Sequence, residues 1–209
     1  MENKNRVGIC VLVSGGGTNL QALIDACASG VITSGEIVAV ISDTEGAFAL
    51  ERAAKAGIRC TTVPKKAFAG DHPLFEQTLE KEIEKAGAEL IVLAGFFSIL
   101  SENFTTRHAR RIINVHPSLI PAFCGKGFYG LRVHEAALAR GVKLTGATVH
   151  FVNEIPDGGE IIMQKAVSVR EGDTPEVLQK RVMREAEWVI LPEATEKVCR
   201  EILASRRDG

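Results

Sequence analysis

The sequence lacks a charge excess of either sign. Lys and Arg total 25 against 26 for Asp and Glu, a net charge of -1 over 209 residues. That balance argues against a general polyanion-binding surface, and so against DNA or RNA as the main partner. No apolar run approaches the ~20 residues that a bilayer span needs, and no charged-then-apolar leader opens the chain, so neither a membrane segment nor a secretory signal is expected. The five cysteines (Cys10, Cys27, Cys60, Cys124, Cys199) are odd in number and form no CxxC pair, which argues against a disulfide framework and a zinc site. A reduced, cytoplasmic setting is the expectation. Repeats, low-complexity tracts and linkers are also missing, so one domain spanning residues 1–209 is expected.

What is present alternates. Residues 6–13 form a continuous, β-branched apolar run that reads as a central parallel strand. The turn Ser14-Gly15-Gly16-Gly17-Thr18-Asn19 follows, and Leu20, Leu23, Ile24 and Cys27 then recur at helical spacing. Strands are predicted again over 36–41, 58–63 and 90–94, and helices over 47–56 and from Leu74 to Ile83, ending at Gly57 and Gly87. Residues 101–111 read as a helix leading into a strand at Ile112. After the long loop 117–130, a short helix over 133–139 and a hairpin of 145–152 with 160–169 are expected. Thr174-Pro175 opens a last helix with a capping residue and a first-turn proline, running up to Pro192 and resuming beyond it. This alternation predicts an α/β fold, a doubly wound, mostly parallel sheet with antiparallel strands near the C-terminal end.

The stretch Ile112-Ile113-Asn114-Val115-His116-Pro117-Ser118 stands out. Residues two apart on a strand share a face, so Asn114 and His116 present a carboxamide and an imidazole together. Packing gives a buried strand no reason to carry that pair. Pro117 keeps His116 extended at the strand's carboxyl end, where open α/β sheets bind ligands.

Other motifs are less specific. The glycine turn opens a helix with unpartnered amides and suits a phosphate, a dinucleotide or no ligand at all; it lacks the third glycine of the dinucleotide fingerprint and the Lys of a nucleoside triphosphate loop. Asp43, ending the second strand, keeps the dinucleotide reading open. His72, His108, His134 and His150 show no metal-ligand spacing and read as surface or packing residues, although His150 alternates with apolar neighbours and could face the site. Asp157 sits in Pro156-Asp157-Gly158-Gly159, by itself an ordinary turn.

Four stretches together resemble the folate-dependent formyltransferases: Val13 to Gln21, Leu93-Ala94-Gly95-Phe96, Ile113 to Pro121, and Thr148 to Val152 with Asp157-Gly158-Gly159. They span nearly the whole chain in the family's order, and the glycine turn resembles the branch that formylates a ribonucleotide in purine biosynthesis. The resemblance implies a formyltransferase-like fold, with a phosphate-binding half at about 1–100 and a folate-binding and catalytic half at about 95–209. It implies Asn114, His116 and Asp157 as the catalytic residues, and Gly17, Thr18, Asn19 and Glu187 as the residues holding glycinamide ribonucleotide. The co-substrate implied is 10-formyltetrahydrofolate, against Phe97, Ser98, Ile99 and Leu100, Asn114, and the loop Asn153, Glu154, Ile155, Pro156 and Asp157. No metal, nucleic acid or membrane is implied, and the state is a monomer or homodimer. Formyl transfer to a sugar-nucleotide amine and formyl-folate hydrolysis remain as alternatives.

Two departures are visible. Ser98 stands where many members carry an arginine, and Gly70-Asp71-His72 replaces another; backbone contacts are expected at the first. On this reading Asn114 and a protonated His116 donate to the oxyanion of the tetrahedral intermediate, and Asp157 favours the charged imidazole and helps move the amine's proton.

Overall fold

A computed structural model describes residues 5–207. Seven strands form one sheet: β1 Val7–Val13, β2 Gly35–Ser42, β3 Cys60–Thr62, β4 Leu90–Leu93, β5 Ile112–His116, β6 Leu144–Phe151 and β7 Ile161–Ser168. Their order is β3-β2-β1-β4-β5-β6-β7. Pairing is parallel from β3 through β5, then antiparallel between β5 and β6 and between β6 and β7. The doubly wound, mostly parallel sheet with an antiparallel C-terminal end expected from the sequence is the architecture found.

Among the described residues, five α-helices lie between strands, α1 Thr18–Ser29, α2 Phe48–Lys55, α3 His72–Lys85, α4 Glu102–Arg107 and α5 Leu131–Arg140, and two follow the last strand, α6 Pro175–Val182 and α7 Trp188–Ser205. They cover both faces, which is why β1 is apolar throughout. Val7, Ile9, Val11 and Val13 enter one core with Leu20 and Leu23 of α1 and Leu191, Val198 and Ile202 of α7. Cys10 and Leu12 enter the other, with Phe75, Leu79 and Ile83 of α3 and Phe104 of α4. On β5 the same alternation sends Ile113 and Val115 to the first core and Ile112 to the second. Asn114 and His116 therefore leave the sheet on the face of Ile112.

The end of the chain departs from expectation. Pro192 does not interrupt the helix; it is buried inside α7. The irregularity lies earlier, in a π-helical turn over Met183–Glu187 between α6 and α7. A widened turn already breaks the regular hydrogen-bond ladder there, so the proline's missing N–H falls beside an existing break rather than creating one.

One buried carboxylate ties this last helix to the start of the sheet. Glu196 of α7 accepts hydrogen bonds from the amides of Thr33 and Ser34, both at 2.9 Å, from both hydroxyls, and from Arg200 Nε at 2.7 Å. Burial opposes its charge, but the Ser34 and Thr33 amides outweigh burial and hold the carboxyl down to about 2. The clasp therefore stabilises the protein above the ordinary carboxylate range and is lost as pH falls toward 2. Glu196→Ala strands two amides and two hydroxyls; it is expected to cost about 2–4 kcal/mol of unfolding free energy in urea denaturation at pH 7, and a loss under 1 kcal/mol would contradict the clasp.

Candidate active site

The β5 strand ends where parallel pairing with β4 gives way to antiparallel pairing with β6. Register places Leu93 beside Asn114 on one edge and His150 directly opposite it on the other. His150 Nδ1 lies 2.8 Å from the carbonyl of Phe151, which can only accept, so Nδ1 carries the hydrogen. Its Nε2 lies 3.2 Å from Asn114 Nδ2 and 3.6 Å from Asp157 Oδ1, so the carboxamide keeps an N–H uncommitted.

His116, buried at the strand end, is oriented in the same way. Its Nε2 donates to the Phe123 carbonyl at 2.9 Å, and its Nδ1 faces Asp157 Oδ2 at 3.4 Å. The loop that supplies Phe123 is pinned to β6: Thr148 Oγ1 donates to the Ser118 carbonyl at 2.7 Å and accepts from the Ile120 amide at 3.1 Å. The same loop reaches Asp157, whose Oδ2 accepts from the Gly125 amide at 2.8 Å. Phe123 and Asp157 both have left-handed backbones, with φ of 50° and 57°, a conformation unusual outside glycine.

Electrostatics divides the two groups. Burial opposes the charge of Asp157, whose side chain is 13% exposed, but the His150 and His116 rings and the Gly125 amide outweigh it, so it stays a carboxylate. Burial pushes the His116 imidazole below its ordinary value despite Asp157 and the Phe123 carbonyl. Burial thus opposes the protonated His116 expected from the sequence, while Asp157, 3.4 Å from Nδ1, favours it. His134 is packing, as expected: it is fully buried, and burial followed by the nearby His116 drives it down to about 4.

A cavity of about 110 Å³ opens in front of this group, lined by Ser98, Ile99, Leu100, Asn114, His150 and residues 153–157, with Leu93, Phe96 and Val152 behind. It gathers nearly all the residues expected against the folate. Phe97 is not among them; it is 67% exposed, with its ring centroid 6.5 Å from that of Tyr129. The Ser98 hydroxyl donates to buried Asp43 at 2.6 Å, and His72, of the stretch Gly70-Asp71-His72, places Nε2 2.9 Å from the Ile99 carbonyl. Mostly apolar walls with a carboxamide, an imidazole and a carboxylate at one end suit a flat heteroaromatic ring carrying a polar reacting group. Among the described residues, no cluster of His, Cys, Asp or Glu could hold a metal ion.

The glycine turn forms a second locus. Gly17 has φ of 71°, and a Cβ there would lie 2.6 Å from Ala49 Cβ, so only glycine fits. Asn19 Nδ2 donates to Glu187 Oε2 at 2.8 Å, and the amide's Oδ1, also buried, has no partner. A groove of about 520 Å³ begins at Thr18 and runs along α1 and α7, but it contains none of Asn114, His116 and Asp157. His150 and the Gly125 amide were the members of the site that sequence reasoning did not assign. For His150 the only signal was its place in an alternating strand.

A family model described as formyl transferase matches residues 7–195. The chain is 41% identical over 186 residues to phosphoribosylglycinamide formyltransferase of Escherichia coli (strain K12), covering 89% of this chain and 84% of that one. It is 42% identical over 194 residues to the trifunctional purine biosynthetic protein adenosine-3 of Gallus gallus, covering 93% of this chain but spanning only 18% of that protein's length. Among solved structures, glycinamide ribonucleotide transformylase 1 from Symbiobacterium toebii superposes with a TM-score of 0.87 at 41% identity, covering 94% of this chain and 89% of the other.

Burial raises the Glu187 carboxyl from 4.5 to about 7, only partly relieved by Asn19. A folded-state value above the unfolded one gives stability that is whole below pH 4.5 and lost as pH rises through about 7. Glu187→Gln removes that loss, so thermal melts at pH 8 should show the variant more stable than wild type by up to about 3 kcal/mol, with the advantage gone at pH 4.5. Equal pH dependence in both proteins would contradict a strained carboxylate.

Proposed function

The chain belongs to the formyl transferase family. From that premise we propose that it transfers the formyl group of 10-formyltetrahydrofolate to the amine of glycinamide ribonucleotide, yielding formylglycinamide ribonucleotide and tetrahydrofolate in de novo purine biosynthesis. The observation that carries the reading is the convergence of Asn114, His116 and Asp157 at the carboxyl end of β5, with Asn114 and Asp157 lining a cavity of mixed apolar and polar walls. The names of relatives that match most of this chain support the acceptor.

The folate supplies an activated formyl carbon. As the amine attacks it, the new C–N bond forms and negative charge builds on the formyl oxygen; the uncommitted N–H of Asn114 is the donor for that oxygen, and one such donor lowers a barrier by ~3 kcal/mol. The amine nitrogen becomes acidic. Asp157, a carboxylate in the resting protein, accepts its proton, and His116 Nδ1 at 3.4 Å lies where the pair can share it. Breaking the bond to the folate nitrogen then consumes that proton. His150 fixes the Asn114 amide, and Gly125 fixes Asp157.

At the other locus, Gly17, Thr18 and Asn19 hold the phosphate at the start of α1, and Glu187 accepts from the ribose hydroxyls, with Asn19 Oδ1 free to do the same. Phe97, Ser98, Ile99, Leu100 and residues 153–157 hold the folate. The enzyme acts as a monomer or homodimer in a reducing, cytoplasmic setting, a reading supported by cysteines that are all free. No helix among the described residues is long and apolar enough to cross a membrane.

Mixing the protein with 10-formyltetrahydrofolate should release tetrahydrofolate only when glycinamide ribonucleotide is present, read by absorbance. Release without any amine would mean a hydrolase, and release with a sugar-nucleotide amine alone would mean a different acceptor. Asp157→Asn should lower turnover by about 10³-fold while leaving both KM values near wild type, whereas near-normal turnover would overturn its role.

A further inference from the structure

Arg52, on α2, belongs to none of the residues discussed above, yet it grips the glycine turn from outside. Its Nε donates to the Gly16 carbonyl at 2.8 Å, and Nη1 donates to Gln21 Oε1 at 3.2 Å. Its Cδ packs against Gly17, lying 3.4 Å from where a Cβ would stand. The guanidinium carbon sits 5.0 Å from the centroid of the Phe48 ring, which restrains the planar group on its apolar side. The rest of α2 closes on the same turn: the Ala49 amide donates to the Gly15 carbonyl at 3.0 Å, and Ala49 leaves Gly17 no room for a side chain.

Two consequences follow from this contact. A cation on the Gly16 carbonyl commits that oxygen to the α2 side, so the partial negative charge is turned away from an anion approaching the amides that start α1. The guanidinium also brings a full positive charge next to the turn, and its two bonds use two of its five N–H groups. Arg52 lines the groove that Thr18 and Gln21 also line, so the charge is open to the side from which Thr18 is reached.

We infer that Arg52 is a positioning residue that presets the glycine turn for the substrate's phosphate and selects phosphorylated acceptors over unphosphorylated ones. The inference rests on the reading of Gly17, Thr18 and Asn19 as the phosphate turn. It predicts a loss confined to one substrate and to one part of it.

The test compares wild type with Arg52→Gln and Arg52→Lys in steady-state formyl transfer. With glycinamide ribonucleotide, Arg52→Gln should raise KM about tenfold or more, as expected for removal of a charge-assisted contact, with kcat and the folate KM within about twofold of wild type. Arg52→Lys should restore part of the loss, because charge returns without the fork that holds Gly16. With glycinamide riboside, which has no phosphate, wild type and variant should have the same kcat/KM. An unchanged ribonucleotide KM, or an equal loss on both acceptors, overturns the inference; the latter would mark a merely structural arginine. Should wild type transfer formyl to neither acceptor, the proposed function fails while Arg52 is still tested by calorimetric titration with ribose 5-phosphate. There, salt-sensitive binding to wild type that is lost in Arg52→Gln supports it, and equal or absent binding in both overturns it.

Discussion

The candidate site depends on β5 having unlike neighbours. Parallel pairing with β4 keeps its carboxyl end among the other strand ends and their loops. Antiparallel pairing with β6 brings a strand back across the same end, so that His150 and Thr148 lie opposite Asn114 and His116. A parallel strand in that position would have presented an outgoing loop rather than a second row of side chains. Because β6 returns, a threonine can pin the loop after His116, and a histidine can orient the Asn114 amide.

From that pairing the electrostatics follows. Asp157 stands on the connection between β6 and β7, close to two imidazoles and one amide, and these together keep it ionised inside a largely dry pocket. Burial opposes a charge on His116 as well, against the pull of Asp157. An ionised Asp157 can take up a proton directly, with His116 Nδ1 3.4 Å away. The left-handed backbones at Phe123 and Asp157 fit this view, since both residues make their contact with His116 from conformations that the surrounding bonds must hold in place.

Much of the fold was legible because its signals are local. The continuous apolar run of β1, the glycine turn opening α1, and the Thr174-Pro175 start of α6 all follow from neighbouring residues. Asn114 and His116 were legible for the same reason, being two apart on a strand that had no apolar use for them. What could not be read depended on pairing across the chain. His150 joins the site through strand register, Gly125 through the path of a long loop, and Arg52 through the docking of α2 on a turn 36 residues away. Pro192 misled because a helix is broken by a proline only if its ladder is otherwise intact, and the π turn before it is invisible to periodicity. Asp157 was distinguishable from any other turn aspartate only by family resemblance, since its environment is assembled from three separate segments.

The bond between Asn19 and Glu187 joins residues 168 apart. During synthesis the glycine turn and the first strands therefore emerge well before the carboxylate that packs against Asn19. Until α7 docks, the first core lacks Leu191, Val198 and Ile202, and the face of α1 that will meet them is bare. On the proposed reading of this locus, competence to hold a ribonucleotide waits for that carboxylate to be in place. Contacts of such long sequence separation also form late in folding, because the loop-closure entropy must be overcome first. A molecule in which α7 has not docked can therefore carry a complete glycine turn while Asn19 still lacks Glu187.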